Sequence, residues 1–130
     1  MKNKKMYVLV IGLLLLSLLL TACGSSNKSG FPTGKFLDPE SKIGEGYQFN
    51  EDGTWTVFNS TYTLGRGTYS VDGDLYIEET NNQNCGTNPM SFKYSFDGTT
   101  LKFELTEQSM NDDCDGRKRS FDGRTYVLSK

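Results

Sequence analysis

The stretch Phe92-Lys93-Tyr94-Ser95-Phe96-Asp97-Gly98-Thr99-Thr100-Leu101-Lys102-Phe103-Glu104-Leu105 decides the fold class. Apolar and polar residues alternate on both sides of an Asp-Gly pair. A period of two puts Phe92, Tyr94 and Phe96 on one face with Leu101, Phe103 and Leu105. Lys93, Ser95, Lys102 and Glu104 then point the other way, toward water. Asp-Gly supplies the positive φ that a tight hairpin turn demands. The stretch reads as an antiparallel hairpin with one buried face.

Working outward, the same grammar recurs as a weak internal repeat: Tyr69-Ser70-Val71-Asp72-Gly73, then Ser120-Phe121-Asp122-Gly123, with Asn50-Glu51-Asp52-Gly53 as a looser copy. Around Asp72-Gly73, alternation is expected to place Tyr69 and Val71 on one face with Leu75 and Ile77. Ser70 and Asp74 then face water, with Tyr76 as an aromatic exception on that side. Eight strands are expected, at 34–37, 46–50, 54–59, 66–71, 74–79, 90–96, 100–106 and 124–129, and no amphipathic helix of three turns. Composition agrees, with 14 Gly, 3 Pro, 7 Tyr, 8 Phe and 1 Trp. Eight short antiparallel strands in sequence hide their apolar face and remove both edges by closing into a small up-and-down β-barrel. An open β-sandwich of two four-stranded sheets is the alternative. The expected interior includes Tyr47, Phe49, Trp55, Tyr69, Phe92, Tyr94 and Phe103.

The first 22 residues do not belong to that domain. Lys2, Lys4 and Lys5 make a basic start, and Tyr7 to Leu20 make an apolar run too short to span a bilayer. The run closes on Leu20-Thr21-Ala22-Cys23. That closure resembles the lipobox of the bacterial lipoprotein class, in which the cysteine takes a diacylglyceryl thioether before cleavage. The resemblance implies a signal peptide over 1–22, lipidation at Cys23, a small polar tether over 23–30 and a folded domain over 31–130. It also implies an extracytoplasmic protein held at a membrane by acyl chains, each buried methylene contributing about 0.8 kcal/mol. Loss of the three signal lysines leaves 11 basic against 16 acidic residues, a net charge of −5. Nucleic acid is a poor partner for that surface.

Cys85 and Cys114 fit the barrel reading. In a meander the connections alternate between two ends, so Asp52-Gly53, Asp72-Gly73 and Asp97-Gly98 share one end. The longer connections, 38–45, 60–65, 80–89 and 107–123, share the other. Cys85 and Cys114 then lie in adjacent loops at one end, where a disulfide is geometrically reasonable and an oxidising compartment permits it. Two free thiols are the alternative. An even strand count also brings both termini to the tight-turn end and leaves the loops 80–89 and 107–123 distal to the anchor.

Several chemistries are disfavoured. Histidine is absent, which removes imidazole bases, His ligands and Ser-His or Cys-His dyads. Glu78 and Glu79 are strand neighbours and face opposite ways, so they cannot act on one bond. Asn111, Asp113, Asp115, Gly116 and Asp122 imitate a calcium loop at places 1, 3, 5, 6 and 12. Asn at the first place, Asp at the last and the cations Arg117, Lys118 and Arg119 beside it favour a solvated loop with local Asp-Arg pairing. No enzyme, metal or cofactor is expected.

Gly34-Lys35-Phe36 resembles the Gly-x-Trp opening of lipocalin-like (calycin) barrels, with Phe36 in the Trp place, and Arg124 resembles the basic residue that packs across that aromatic. The resemblance implies an eight-stranded barrel whose open end admits a small apolar ligand or lipid. A filled core with no pocket is the other reading of so aromatic an interior. It corresponds to a protein-interaction role, as in lysozyme-inhibitor lipoproteins of similar size. The expectation is a monomeric, membrane-anchored binding protein with either a small apolar ligand or a protein partner.

Overall fold

In the computed structural model, which describes residues 30–79 and 89–130, the chain winds through β1 (Gly34–Leu37), β2 (Gly46–Phe49), β3 (Thr54–Phe58), β4 (Thr63–Asp72), β5 (Leu75–Glu78), β6 (Met90–Phe96), β7 (Thr100–Leu105) and β8 (Thr125–Leu128). Each strand pairs antiparallel with the next. β8 returns to β1 through Phe36↔Leu128 and Leu37↔Val127, and the sheet closes into a barrel instead of splitting into a sandwich. The expected signal, Cys23, the tether up to residue 29, and Cys85 lie outside the described residues.

The tight turns form where the sequence places Asp-Gly. Asp97 Oδ1 accepts the backbone N–H groups of Thr99 and Thr100 at 2.9 and 2.7 Å, and Asp52 Oδ1 accepts the backbone N–H and the hydroxyl of Thr54. Bonds from Thr100 to Asp97 and from Thr54 to Asp52 hold these carboxyls below their ordinary pKa. Gly98 has φ +97 with nothing within 4 Å of a hypothetical Cβ, so backbone conformation alone selects glycine there. Gly46 is glycine for a different reason: its Cβ would lie 2.1 Å from the Phe36 carbonyl oxygen, where β1 and β2 approach closely.

The structure corrects three expectations. First, the face of β5 is reversed. Asp72 pairs with Leu75, leaving only Gly73 and Asp74 in the loop, and a two-residue loop places odd-numbered residues of one strand opposite even-numbered residues of the next. Tyr69 therefore faces Glu78 and Val71 faces Tyr76. Tyr76 and Glu78 are buried, at 0% and 1% exposure, while Leu75 and Ile77 are half-exposed. Second, β4 starts at Thr63. The expected long connection over 60–65 is a tight turn in which Asn59 Oδ1 accepts the N–H groups of Thr61 and Tyr62, and a bulge at Val57/Phe58 adjusts the register. Third, the 107–123 segment contains a 3-10 turn (Glu107–Ser109) and a helix, α1 (Asp115–Phe121).

Aromatic rings fill the barrel from end to end. Phe31, just before β1, enters from the tight-turn end, and its ring lies 5.3 Å from that of Tyr76. Phe121, the last residue of α1, enters from the other end and lies 5.2 Å from the same Tyr76 ring. Phe103 touches all three, at 6.3, 5.2 and 5.0 Å. Stacked, tilted and edge-on pairs at these separations contribute beyond simple area burial. Tyr94, expected inside, is half-buried at the tight-turn rim, where it meets Phe31.

The Tyr76 hydroxyl is buried and has no hydrogen-bond partner among the described residues, and burial drives this phenol well above its ordinary pKa. A buried unpaired hydroxyl costs about 1–3 kcal/mol. Tyr76→Phe is accordingly expected to stabilise the fold by about 1 kcal/mol, read as a higher urea midpoint at unchanged slope. A lower midpoint would show that the hydroxyl has a partner worth keeping.

Candidate functional site

The described termini, Gly30 and Lys130, leave from the end that carries the tight turns at Asp52-Gly53, Asp72-Gly73 and Asp97-Gly98. The opposite end is built from the 38–45 connection, the 59–62 turn and the segment carrying α1. There the sequence supplies polar and charged side chains that strand alternation does not organise.

α1 seals this end by pointing two residues inward. Phe121 joins the aromatic column, and Arg117, 8% exposed, reaches Glu78 on β5. Arg117 Nε donates to Glu78 Oε2 at 2.5 Å, and a second guanidinium nitrogen donates to the Glu78 carbonyl at 2.9 Å. The expected local pairing of Arg117 with neighbouring aspartates is corrected: the partner lies 39 residues away and both side chains are buried. A helix presents residues four apart on one side, which brings Arg117 and Phe121 to the barrel together. Glu79, next to Glu78, is exposed and accepts from the Ser70 hydroxyl, so the two carboxylates do face apart.

Cys114 precedes α1 and is 3% exposed. Its sulfur accepts the N–H of Arg117 at 3.4 Å, and it is disulfide-bonded. Both other cysteines, Cys23 and Cys85, lie outside the described residues. The calcium-like pattern does not assemble as a loop. Asp115 to Phe121 are helical, and Asp122 Oδ1 accepts the backbone N–H of Leu105 at 2.9 Å.

Beside α1, between the start of β2 and the start of β8, lies a cleft of about 210 Å³. Its floor carries Tyr47 and Tyr126, and its walls carry Asp38, Glu45, Arg119 and Arg124. Tyr126 donates its hydroxyl to the Ser120 carbonyl at 2.5 Å. Burial raises the Tyr126 phenol to about 12 and pushes that of Tyr47 higher still, so both remain protonated donors at neutral pH. Arg124 pairs with Asp38, whose Oδ1 also accepts the Glu40 N–H at 2.9 Å. This corrects the role implied by the calycin resemblance. Arg124 serves an acid at the loop end, while the ring of Phe36 sits against Phe49 and Phe96 at 6.0 and 5.9 Å.

Asp38 and Glu45 were not legible as site residues. The Arg124–Asp38 pair spans 86 positions, and no local motif links two residues brought together by closure of a barrel. The 38–45 connection, with its acids flanking a glycine-spaced return, is the nearest signal the sequence offers. Among the described residues no cluster of three His, Cys, Asp or Glu is placed to share a metal ion. Comparison with known proteins finds no matching family model, no matching curated protein and no matching solved structure.

Proposed function

We propose that this protein is a lipid-anchored extracytoplasmic module that works by surface recognition at its loop end, in the protein-interaction class and not as a carrier of an apolar ligand. The observation that carries this reading is the continuous ring column from Phe31 through Tyr76 to Phe121, which fills the calycin-like barrel where a carrier keeps a cavity. The anchor rests on Leu20-Thr21-Ala22-Cys23 and is attached through residues that enter the fold at Phe31, on the end opposite α1. With the termini at the tight-turn end, the tether biases the cleft and α1 away from the membrane. Loops held on a rigid scaffold are the usual carriers of recognition. A catalytic role is not part of the proposal.

Native mass spectrometry of the protein extracted from its own membranes tests the reading. The expected mass is the processed chain plus covalent acyl chains on Cys23, with no further apolar molecule. A co-purified lipid that survives dilution would overturn the filled-barrel reading and favour the carrier. Cys23→Ser is expected to move the protein wholly to the soluble fraction in a folded state. Its retention on membranes after a high-salt wash would reject the lipobox.

The same proposal pairs Cys114 with Cys85. Cys114 is bonded at the foot of α1, and with Cys23 taken by lipid Cys85 is the remaining cysteine of three. Closing a loop of about 30 residues stabilises by about 3–4 kcal/mol in the chain-entropy model. Reduction, or Ser at both positions, is expected to lower the melting temperature by about 10–20 °C. An unchanged melt, or two thiols reacting in the native protein, would reject the bridge.

A further inference from the structure

Glu45 and Arg119 carry opposite charges and line one cleft, yet they do not pair with each other, and neither forms an ion pair with any described residue. The other two charges of the cleft, Arg124 and Asp38, are already matched. What remains available is one carboxylate and one guanidinium across about 210 Å³, above tyrosine rings. The Glu45 charge reaches the floor, where it is among the influences that raise the phenols of both Tyr47 and Tyr126. Those phenols are held as neutral donors next to it.

We propose that this cleft binds a small zwitterion, a free α-amino acid, with its ammonium on Glu45 and its carboxylate on Arg119. Charge chemistry selects that class. A simple anion entering the cleft meets Glu45, a simple cation meets Arg119, and an apolar molecule strips water from both with no compensating bond. A molecule with both charges on one carbon satisfies both walls while adding no net charge, through charge-assisted bonds of the stronger kind. The volume suits it too, being below the 300–1,000 Å³ usual for drug-sized ligands. The inference goes beyond the proposed function, adding a small-molecule site to a face proposed for protein recognition, and rests on it only in taking the loop end as the recognition face; the lipid anchor plays no part in it.

The test is calorimetric titration of the full chain in detergent micelles with the common α-amino acids one at a time, in both enantiomers. Each that binds is compared with its N-acetyl form, which keeps only the carboxylate, and its amide, which keeps only the ammonium. At least one amino acid is expected to saturate a single site, with both blocked forms weaker by about tenfold or more. Glu45→Gln is expected to erase the advantage over the N-acetyl form, and Arg119→Gln the advantage over the amide, with melting temperatures unchanged. Arg119 is exposed and Glu45 half-exposed, so neither change disturbs the core. Absence of saturation by every amino acid up to tens of millimolar overturns the assignment. Equal binding of the blocked forms to the unmodified protein overturns it as well, without reference to any variant. Failure of the Cys23→Ser fractionation alongside a positive titration removes the anchor and leaves this site standing.

Discussion

Arg117→Ala is expected to destabilise the domain by about 3–5 kcal/mol, the usual cost of leaving one member of a buried ion pair without its partner. Arg117 and Glu78 have side chains only 9% and 2% exposed, so water cannot replace the lost bonds. The expected signature is a lower urea midpoint at unchanged slope, because the folded core stays as compact. Glu78→Leu made in the Arg117→Ala background should recover part of the loss, since it removes the stranded carboxylate as well as the bond. If the double variant is as unstable as the two single changes added together, the residues are not energetically coupled and α1 is held by packing alone.

Phe121→Ala is expected to cost about 3–5 kcal/mol by the same kind of measurement, as large aromatic truncations in a packed core do. Its ring is 2% exposed and meets Tyr47 and Phe103 at 5.0 Å, and Tyr76 and Phe92 at 5.2 Å. The variant has a second expected property. Removing the ring from one end of a filled column leaves an apolar cavity, and such cavities take up small aromatic molecules. Benzene or indole should raise the melting temperature of Phe121→Ala and leave the parent protein unchanged. A parent protein that responds equally already has a cavity.

The barrel was legible because each hairpin carries its own instructions. The period of two on either side of Asp97-Gly98 set both the strand assignment and the facing of Phe92, Phe103 and Leu105, and the structure agrees. The same grammar failed at Asp72-Gly73 for a definite reason. Alternation fixes which residues of one strand share a face, but pairing across the turn fixes which face of the next strand matches it: with a two-residue loop Val71 and Tyr69 lie opposite Tyr76 and Glu78, so Tyr76 goes in and Leu75 is left half-exposed. Helix α1 was missed because Asp115–Phe121 is only two turns long and has only Arg117 and Phe121 on its inner side. One of these is charged, so no apolar stripe marks it. Its stability comes from the barrel mouth that it fills, through a ring contact and an ion pair with a distant strand. The cleft was missed on the same ground: Asp38, Glu45, Arg119 and Arg124 come from three separate segments and become neighbours only when β8 closes on β1.

The central claim is that the barrel interior is occupied by the protein's own rings, which directs recognition to the outside of the loop end. Trp55 is the single tryptophan, and it lies in that interior at 9% exposure, so its emission reports directly on anything entering the barrel. The measurement is a titration of the purified protein with a fluorescent polyunsaturated fatty acid, followed by energy transfer from Trp55. The account predicts no saturable quenching at probe concentrations below its self-association. Saturable quenching at one molecule per barrel, reversed by a non-fluorescent fatty acid, would contradict it.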